Sequence, residues 1–197
     1  MPEPVQPVPT TSGRRRGLSR AVVIEAALHL IDRDGLAGLN FRALARELGV
    51  TTMAPYSHFA DKDDLLAAMA EHALGGLDDW LDPDEPWHQQ VATAMRGLHQ
   101  TLAQHPGVAE LILARSEGER LADLRDVLVA VTVSAGLDEL EAHDALRALV
   151  SYVLGFAALT ASGRPVVVRR GTPGAFEYGL DMLLDSLRAR VRRADGS

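Results

Sequence analysis

Side chains able to do nucleophilic or metal chemistry are sparse in this sequence and lie far apart. It has no cysteine, which removes disulfides, thiolate nucleophiles and zinc sites built on sulfur. Of the seven histidines, His99 and His105 stand six residues apart, whereas two ligands on one helical face need a spacing of four. No G-x-S-x-G elbow, P-loop, G-x-G-x-x-G or H-E-x-x-H occurs. The expectation is a protein that is not an enzyme and that needs neither cofactor nor metal. Hydrogen-bonding groups are concentrated instead in residues 41–66, FRALARELGVTTMAPYSHFADKDDLL, which hold small hydroxyls, a tyrosine, a histidine and the chain's one lysine.

The elements that position them read as helices. Ser19 suits an N-cap, Ile24, Ala27, Leu28 and Ile31 recur at helical spacing, and Gly35 suits the C′ position. Asn40 can cap FRALAREL, which Gly49 ends. Asp61 and Asp64 cap a third helix that runs to about Leu81, and the prolines of DPDEP break the chain. Beyond lie WHQQVATAMRGLHQTLAQ, a short helix after HPG, GERLADLRDVLVAVTVSAG, a long helix from about Leu140 to Ser162, and a last helix with Thr172 at N-cap and Pro173 at N1. VLVAVTV and PVVV suit strands by propensity but have no partner strand nearby, so the fold class is all-α.

Two short helices joined by a glycine turn form the helix-turn-helix pattern, in which the first braces the second for a DNA major groove. Leu44, Ala45 and Leu48 make the buried side of the brace, Val50 plugs the core, and Thr51 caps a second helix. Pro55 lies three or four residues past that cap, where at most one backbone bond is forfeited. A groove about 12 Å wide needs a helix of only two turns, with a short, polar outer side.

The stretch SRAVVIEAALHLIDRDGLAGLNFRALARELGVTTMAPYSHFADKDDLLAAM resembles the amino-terminal domain of tetracycline-repressor (TetR) family regulators, with the signature LGV…Y.HF..K..LL. It departs from the family at Pro55, where leucine is usual, which bears on where the recognition helix begins. PWHQQV, LAQHPG, SAGL, YVLGFAAL and GLDMLLDSLRARV resemble the regulatory half of the tetracycline repressors more faintly. The resemblance implies a three-helix DNA-binding head and a helical ligand-binding and dimerisation domain. It implies a homodimer through the last two helices, and a cytoplasmic transcriptional regulator, a repressor released from a palindromic double-stranded DNA operator by an unknown small molecule. It also implies that Arg42 reaches a phosphate or a guanine edge, that Thr51, Thr52, Ala54, Tyr56, Ser57 and His58 line the groove, and that Lys62 binds phosphate. Tyr56 also serves packing, and His58 reads as a structural or backbone-contacting side chain. Around the family's cavity fall Trp87, Met95, His99, His105, Arg115, Tyr152 and Phe156. Aligned on HPG, the tetracycline-holding histidine and threonine correspond to Leu111 and Ala114 here, so tetracycline is not the expected ligand.

Charge agrees with this division. Residues 1–62 carry eight basic and six acidic side chains, a balance of +2, while residues 63–197 carry twelve and twenty-one, a balance of −9. The expected organisation is a disordered basic arm over 1–17, a DNA-binding head over 18–62 and a helical ligand and dimer domain over 63–197. Arg14, Arg15 and Arg16 read either as a minor-groove contact or as a solubilising tail. The stripe Leu146, Leu149, Val150, Val153 and Ala157 reads either as a dimer face or as packing within one subunit. No apolar run reaches a bilayer's length, so no membrane partner is expected. The rival class is a helical protein-interaction module with little specific DNA binding.

Overall fold

The computed structural model describes residues 18–75, 81–114, 119–161 and 174–194. Outside them lie the arm with Arg14, Arg15 and Arg16, the cavity candidate Arg115, and the Thr172 and Pro173 cap. The described residues form eight helices and no strand: α1 (Arg20–Gly38), α2 (Phe41–Leu48), a 3₁₀ turn (Pro55–Ser57), α3 (Lys62–Leu74), α4 (Trp87–Gln104), α5 (Val108–Ala114), α6 (Glu119–Ser134), α7 (Glu139–Ala161) and α8 (Ala175–Ala194). The all-α expectation holds, and VLVAVTV lies within α6. One continuous apolar core runs from Val23 in α1 to Val191 in α8.

Local chemistry explains the boundaries around the head. Ser19 Oγ accepts from Val22 N–H, Asn40 Oδ1 from Ala43 N–H and Asp61 Oδ1 from Asp64 N–H, each satisfying an N–H that its helix leaves open. Gly49 has φ +65°, and the amides of Gly49 and Val50 return to the carbonyls of Arg46 and Ala45, the paired bonds of a Schellman ending. At Gly35 the backbone kinks at φ +72°, yet a further helical turn carries α1 to Gly38. That turn is held from outside: Leu36 N–H, freed by the kink, donates to Glu110 of α5 at 2.8 Å. Helix α3 stops at Leu74, short of the predicted Leu81, and two successive glycines, costing roughly 1 kcal/mol each in a helix, follow at that point.

The second helix of the predicted motif is not an α-helix. Ala54, Ser57 and His58 donate to Thr51, Ala54 and Pro55, all i→i−3 bonds, and Pro55–Ser57 form a single 3₁₀ turn. Pro55 is the cause: it has no N–H for the bond an α-helix would need at its position. Thr51 contributes its carbonyl to this path rather than a side-chain cap.

Helix α1 is clamped on two sides. Toward the recognition turn, Arg20 donates to His58 O at 2.7 Å and Asp64 Oδ1 at 3.1 Å, with its guanidinium 4.2 Å from the centre of the Phe59 ring. Toward the larger half, Asp32 accepts from Gly107 N–H at 2.9 Å, and its other oxygen lies 2.8 Å from His105 Nδ1. There α1 and the 105–107 turn touch so closely that a Cβ on Gly107 would fall 2.7 Å from the Ile31 carbonyl carbon.

Helix α7 is long and apolar enough to cross a membrane, which the sequence reading denied to any segment. It packs instead against α4, α6 and α8, although only 22% of its apolar window is buried.

Two outcomes follow from the clamps. Gly107→Ala should lower stability by about 1–3 kcal/mol in denaturant unfolding, the usual cost of overpacking against backbone. The Asp64 carboxyl is held below its ordinary value of 3.8, first by the Ala60 amide and then by Arg20. Its contribution is therefore complete above that value and lost as pH falls through the lower folded one. The Tm difference between the wild type and Asp64→Asn should be present at neutral pH and vanish in acid.

Candidate functional site

The inner side of residues 51–59 belongs to the core: Pro55 and Phe59 are buried, and Ala54 and His58 are half-buried. The outer side presents Thr51, Thr52, Met53, Tyr56 and Ser57, all exposed. Tyr56 is fixed by stacking on Phe41 at the start of α2, with centroids 4.2 Å apart and planes at 15°. The stack covers one face of the phenol ring and leaves the residue 48% exposed. Ser57 Oγ donates to Ala54 O at 2.7 Å, which leaves its lone pairs as the free hydrogen-bonding capacity.

The cations of the head divide by use. Arg20 is spent on the clamp, and Arg33 on Asp34 and Glu47, each at 3.0 Å. Arg42, next to Phe41, is exposed and enters no ion pair among the described residues. Lys62, exposed at the first turn of α3, has Nζ 3.5 Å from Leu36 O and no carboxylate partner among them. A cation therefore stands at the head of α2 and another at the head of α3, with the hydroxyl-bearing turn in the chain between them. The predicted set Arg42, Thr51, Thr52, Ala54, Tyr56, Ser57, His58 and Lys62 divides accordingly. Six of these side chains are exposed, while Ala54 and His58 are half-buried, and His58 is held by its carbonyl.

Two residues escaped the sequence reading. Arg20 looks like an ordinary surface residue of a first turn, because its partners lie 38 and 44 positions away. Met53 was not among the predicted groove residues, and its 70% exposure appears only in the fold.

In the larger half, three of the seven predicted cavity residues meet. His99 of α4 stacks on Phe176 of α8, with centroids 3.8 Å apart and planes at 10°, and Phe156 of α7 meets both rings edge-on. Tyr152 of α7 stacks on Phe176 at 5.6 Å and donates to Phe176 O at 2.9 Å, in space left by the missing side chain of Gly179. Burial pushes the His99 imidazole below its ordinary value and the Tyr152 phenol above its own, so both are held toward the neutral form. Arg96 and Glu177, beside the cluster, pair with each other at 2.9 Å. Phe176 was missed, since its helical spacing marks it equally well as core.

The other described cavity candidates lie apart from this cluster. Met95 is buried at 1% exposure in the core. Trp87 meets His88 edge-on at the opposite end of α4, twelve residues or about 18 Å from His99. His105 belongs to the α1 clamp. A groove of about 440 Å³ does exist, but its walls are mainly α7 and α8, with Leu137, Ala148, Leu149, Leu183, Leu187 and Arg190 among the lining residues, and none of the six candidates among the described residues is one of them.

Comparison with known proteins agrees with this geometry. Residues 23–69 match the model of bacterial regulatory proteins of the tetR family, and residues 81–170 match that of the tetracyclin repressor-like C-terminal domain. A Streptomyces coelicolor structure described as a possible TetR family transcriptional regulator is 32% identical, with TM-score 0.69, over 87% of this chain and 99% of the other. The structure of BioQ with its double-stranded DNA operator is 32% identical, with TM-score 0.66, over 87% and 98%. The class A tetracycline repressor from Escherichia coli is 27% identical over 88% of this chain and 94% of its own. The share of the curated relatives that the chain spans ranges from 51% to 94%. With its helix-turn-helix head and helical C-terminal half, the chain belongs to the TetR family of bacterial transcriptional regulators.

Proposed function

We propose that this regulator is a homodimeric cytoplasmic repressor that binds a palindromic operator and leaves it when a small molecule enters the larger half. The observation that carries the reading is the recognition turn itself. Its inner side is tied down by Pro55, Phe59 and the Arg20 clamp, while its outer side is bare between two cations that enter no ion pair among the described residues. Arg42 and Lys62 supply phosphate or guanine contacts, and Thr51, Thr52, Tyr56 and Ser57 form the surface that enters the groove, with Ala54 and His58 half-buried behind them. BioQ bound to its operator supports the same use of the head.

The dimer rests on α7 and α8. Leu140, Leu159, Tyr178 and Met182 are exposed by half or more, and the groove between the helices is mostly apolar in its lining. A second copy related by a two-fold axis would cover them and set two heads at a fixed spacing. His99, Tyr152, Phe156 and Phe176 mark the ligand end of the larger half, where neutral rings and two uncharged polar groups suit a small molecule.

Selection of bound DNA by the full chain should recover a palindrome. Arg42→Ala should then lose about 1–3 kcal/mol of binding if its contact is a base edge. Lys62→Ala should weaken all sequences alike and reduce the salt slope by about one. Salt-sensitive, sequence-blind binding would reject the repressor reading.

Sedimentation tests the dimer separately. Ala148→Arg with Leu183→Asp should give a monomer with operator affinity reduced to that of one head. A variant that stays dimeric would place the interface elsewhere.

A further inference from the structure

Met53 is the most exposed large apolar side chain of the described head, at 70%, and it stands on the face that the proposed function turns toward DNA. Among residues 18–75 the exposed large apolar side chains are Val22, Met53 and Tyr56, and the last two lie in the exposed part of residues 51–57. Around them are the hydroxyls of Thr51, Thr52 and Ser57, so the patch is small, local and rimmed by polar groups. Met53 is mostly exposed, and Tyr56, three residues later, is held by Phe41. The thioether of Met53 is a flexible, polarisable apolar group.

The major groove of DNA offers one apolar feature at a base edge, the 5-methyl group of a pyrimidine, carried by thymine and by methylated cytosine. We infer that Met53 is a specificity-determining residue of this regulator, which reads a pyrimidine 5-methyl group in each half-site. The inference rests on the DNA-binding reading above and adds to it an apolar base preference. The hydroxyls of Thr51, Thr52 and Ser57 suit phosphates and base edges of several kinds, whereas the Met53 side chain offers an apolar contact, whose share of any methyl effect the Met53→Ala variant separates from that of the threonine methyls. Because its contact is apolar, the preference should survive salt that weakens the contacts of Arg42 and Lys62.

The test uses the full chain and the operator recovered by selection, titrated at one stated salt concentration by fluorescence anisotropy. Each thymine is replaced in turn by deoxyuridine, which removes only the methyl group, and each cytosine by 5-methylcytosine, which adds it. The wild type should lose about fourfold in affinity per methyl group removed from contact, at one symmetry-related pair of positions. Met53→Ala should bind the methylated and unmethylated forms at that pair equally, and Met53→Leu should keep the discrimination. If the contacted pyrimidine is a cytosine, the same pair appears as a gain on methylation. The inference is overturned if no position shows a methyl effect that Met53→Ala abolishes, or if Met53→Ala leaves every methyl effect in place. A wild type that selects no site at all overturns the repressor reading together with this one, whereas a selected palindrome without a Met53-dependent methyl effect overturns this one alone.

Discussion

The seating of α1 on the 105–107 turn is the constraint on which both halves of the molecule depend. Helix α1 packs against α2 and α3 on one side and α5 on the other, so its axis fixes where the recognition turn stands. Apolar packing alone leaves such a helix free to slide by small amounts. The two Asp32 oxygens, one on the Gly107 amide and one on His105, remove that freedom, because directional bonds to a largely buried carboxylate weaken steeply on displacement. The close approach of Gly107 to Ile31 and the bond from Leu36 to Glu110 fix the same junction in two further directions. The Arg20 clamp then carries the position of α1 onward to His58 and Asp64. Recognition side chains on a short turn are thereby referred, through one helix, to the body of the protein.

The price of a turn built on i→i−3 bonds is weak self-sufficiency, and the structure meets it with neighbours rather than with helix length. Pro55 forbids the α-helical bond but fills the core beside Phe59, and its carbonyl takes the amides of both His58 and Phe59. Phe41 supplies the platform for Tyr56. The order of this segment is thus tertiary in origin, and a propensity scale applied to TTMAPYSH has nothing in it to report.

That distinction separates what was legible in the sequence from what was not. The caps at Ser19, Asn40 and Asp61 and the ending at Gly49 are written within three or four residues of the bonds they make, and the starts of α1, α2 and α3 and the end of α2 could be read from them. The continuation of α1 past Gly35 depends on Glu110, seventy-four residues from Leu36, and no local pattern contains it. The same holds for Arg20. His99, Tyr152 and Phe156 were legible as aromatic or polar groups on helices of the larger half, yet spacing treats Trp87 in the same way. Only the crossing of α4, α7 and α8 tells which rings meet. The resemblance put His105 near the cavity, and its hydrogen bond to Asp32 on α1, seventy-three residues away, is in no local pattern.

The arrangement of α4 gives the proposed ligand response a physical route. His99 faces the ring cluster, and His105 closes the same helix on Asp32, six residues or about 9 Å further along. A molecule admitted among His99, Tyr152, Phe156 and Phe176 must part rings that now lie 3.8 to 6.0 Å apart, and α4 is one of the three elements that can yield. Any shift of its last turns reaches the Asp32 carboxylate directly and α1 with it. The size of the response is then limited by how differently the ligand binds the two positions of α4 and not by how tightly it binds either. A ring cluster that closes on itself when empty is a means of making that difference large, since the stacking lost on opening has to be replaced by the ligand's own surface.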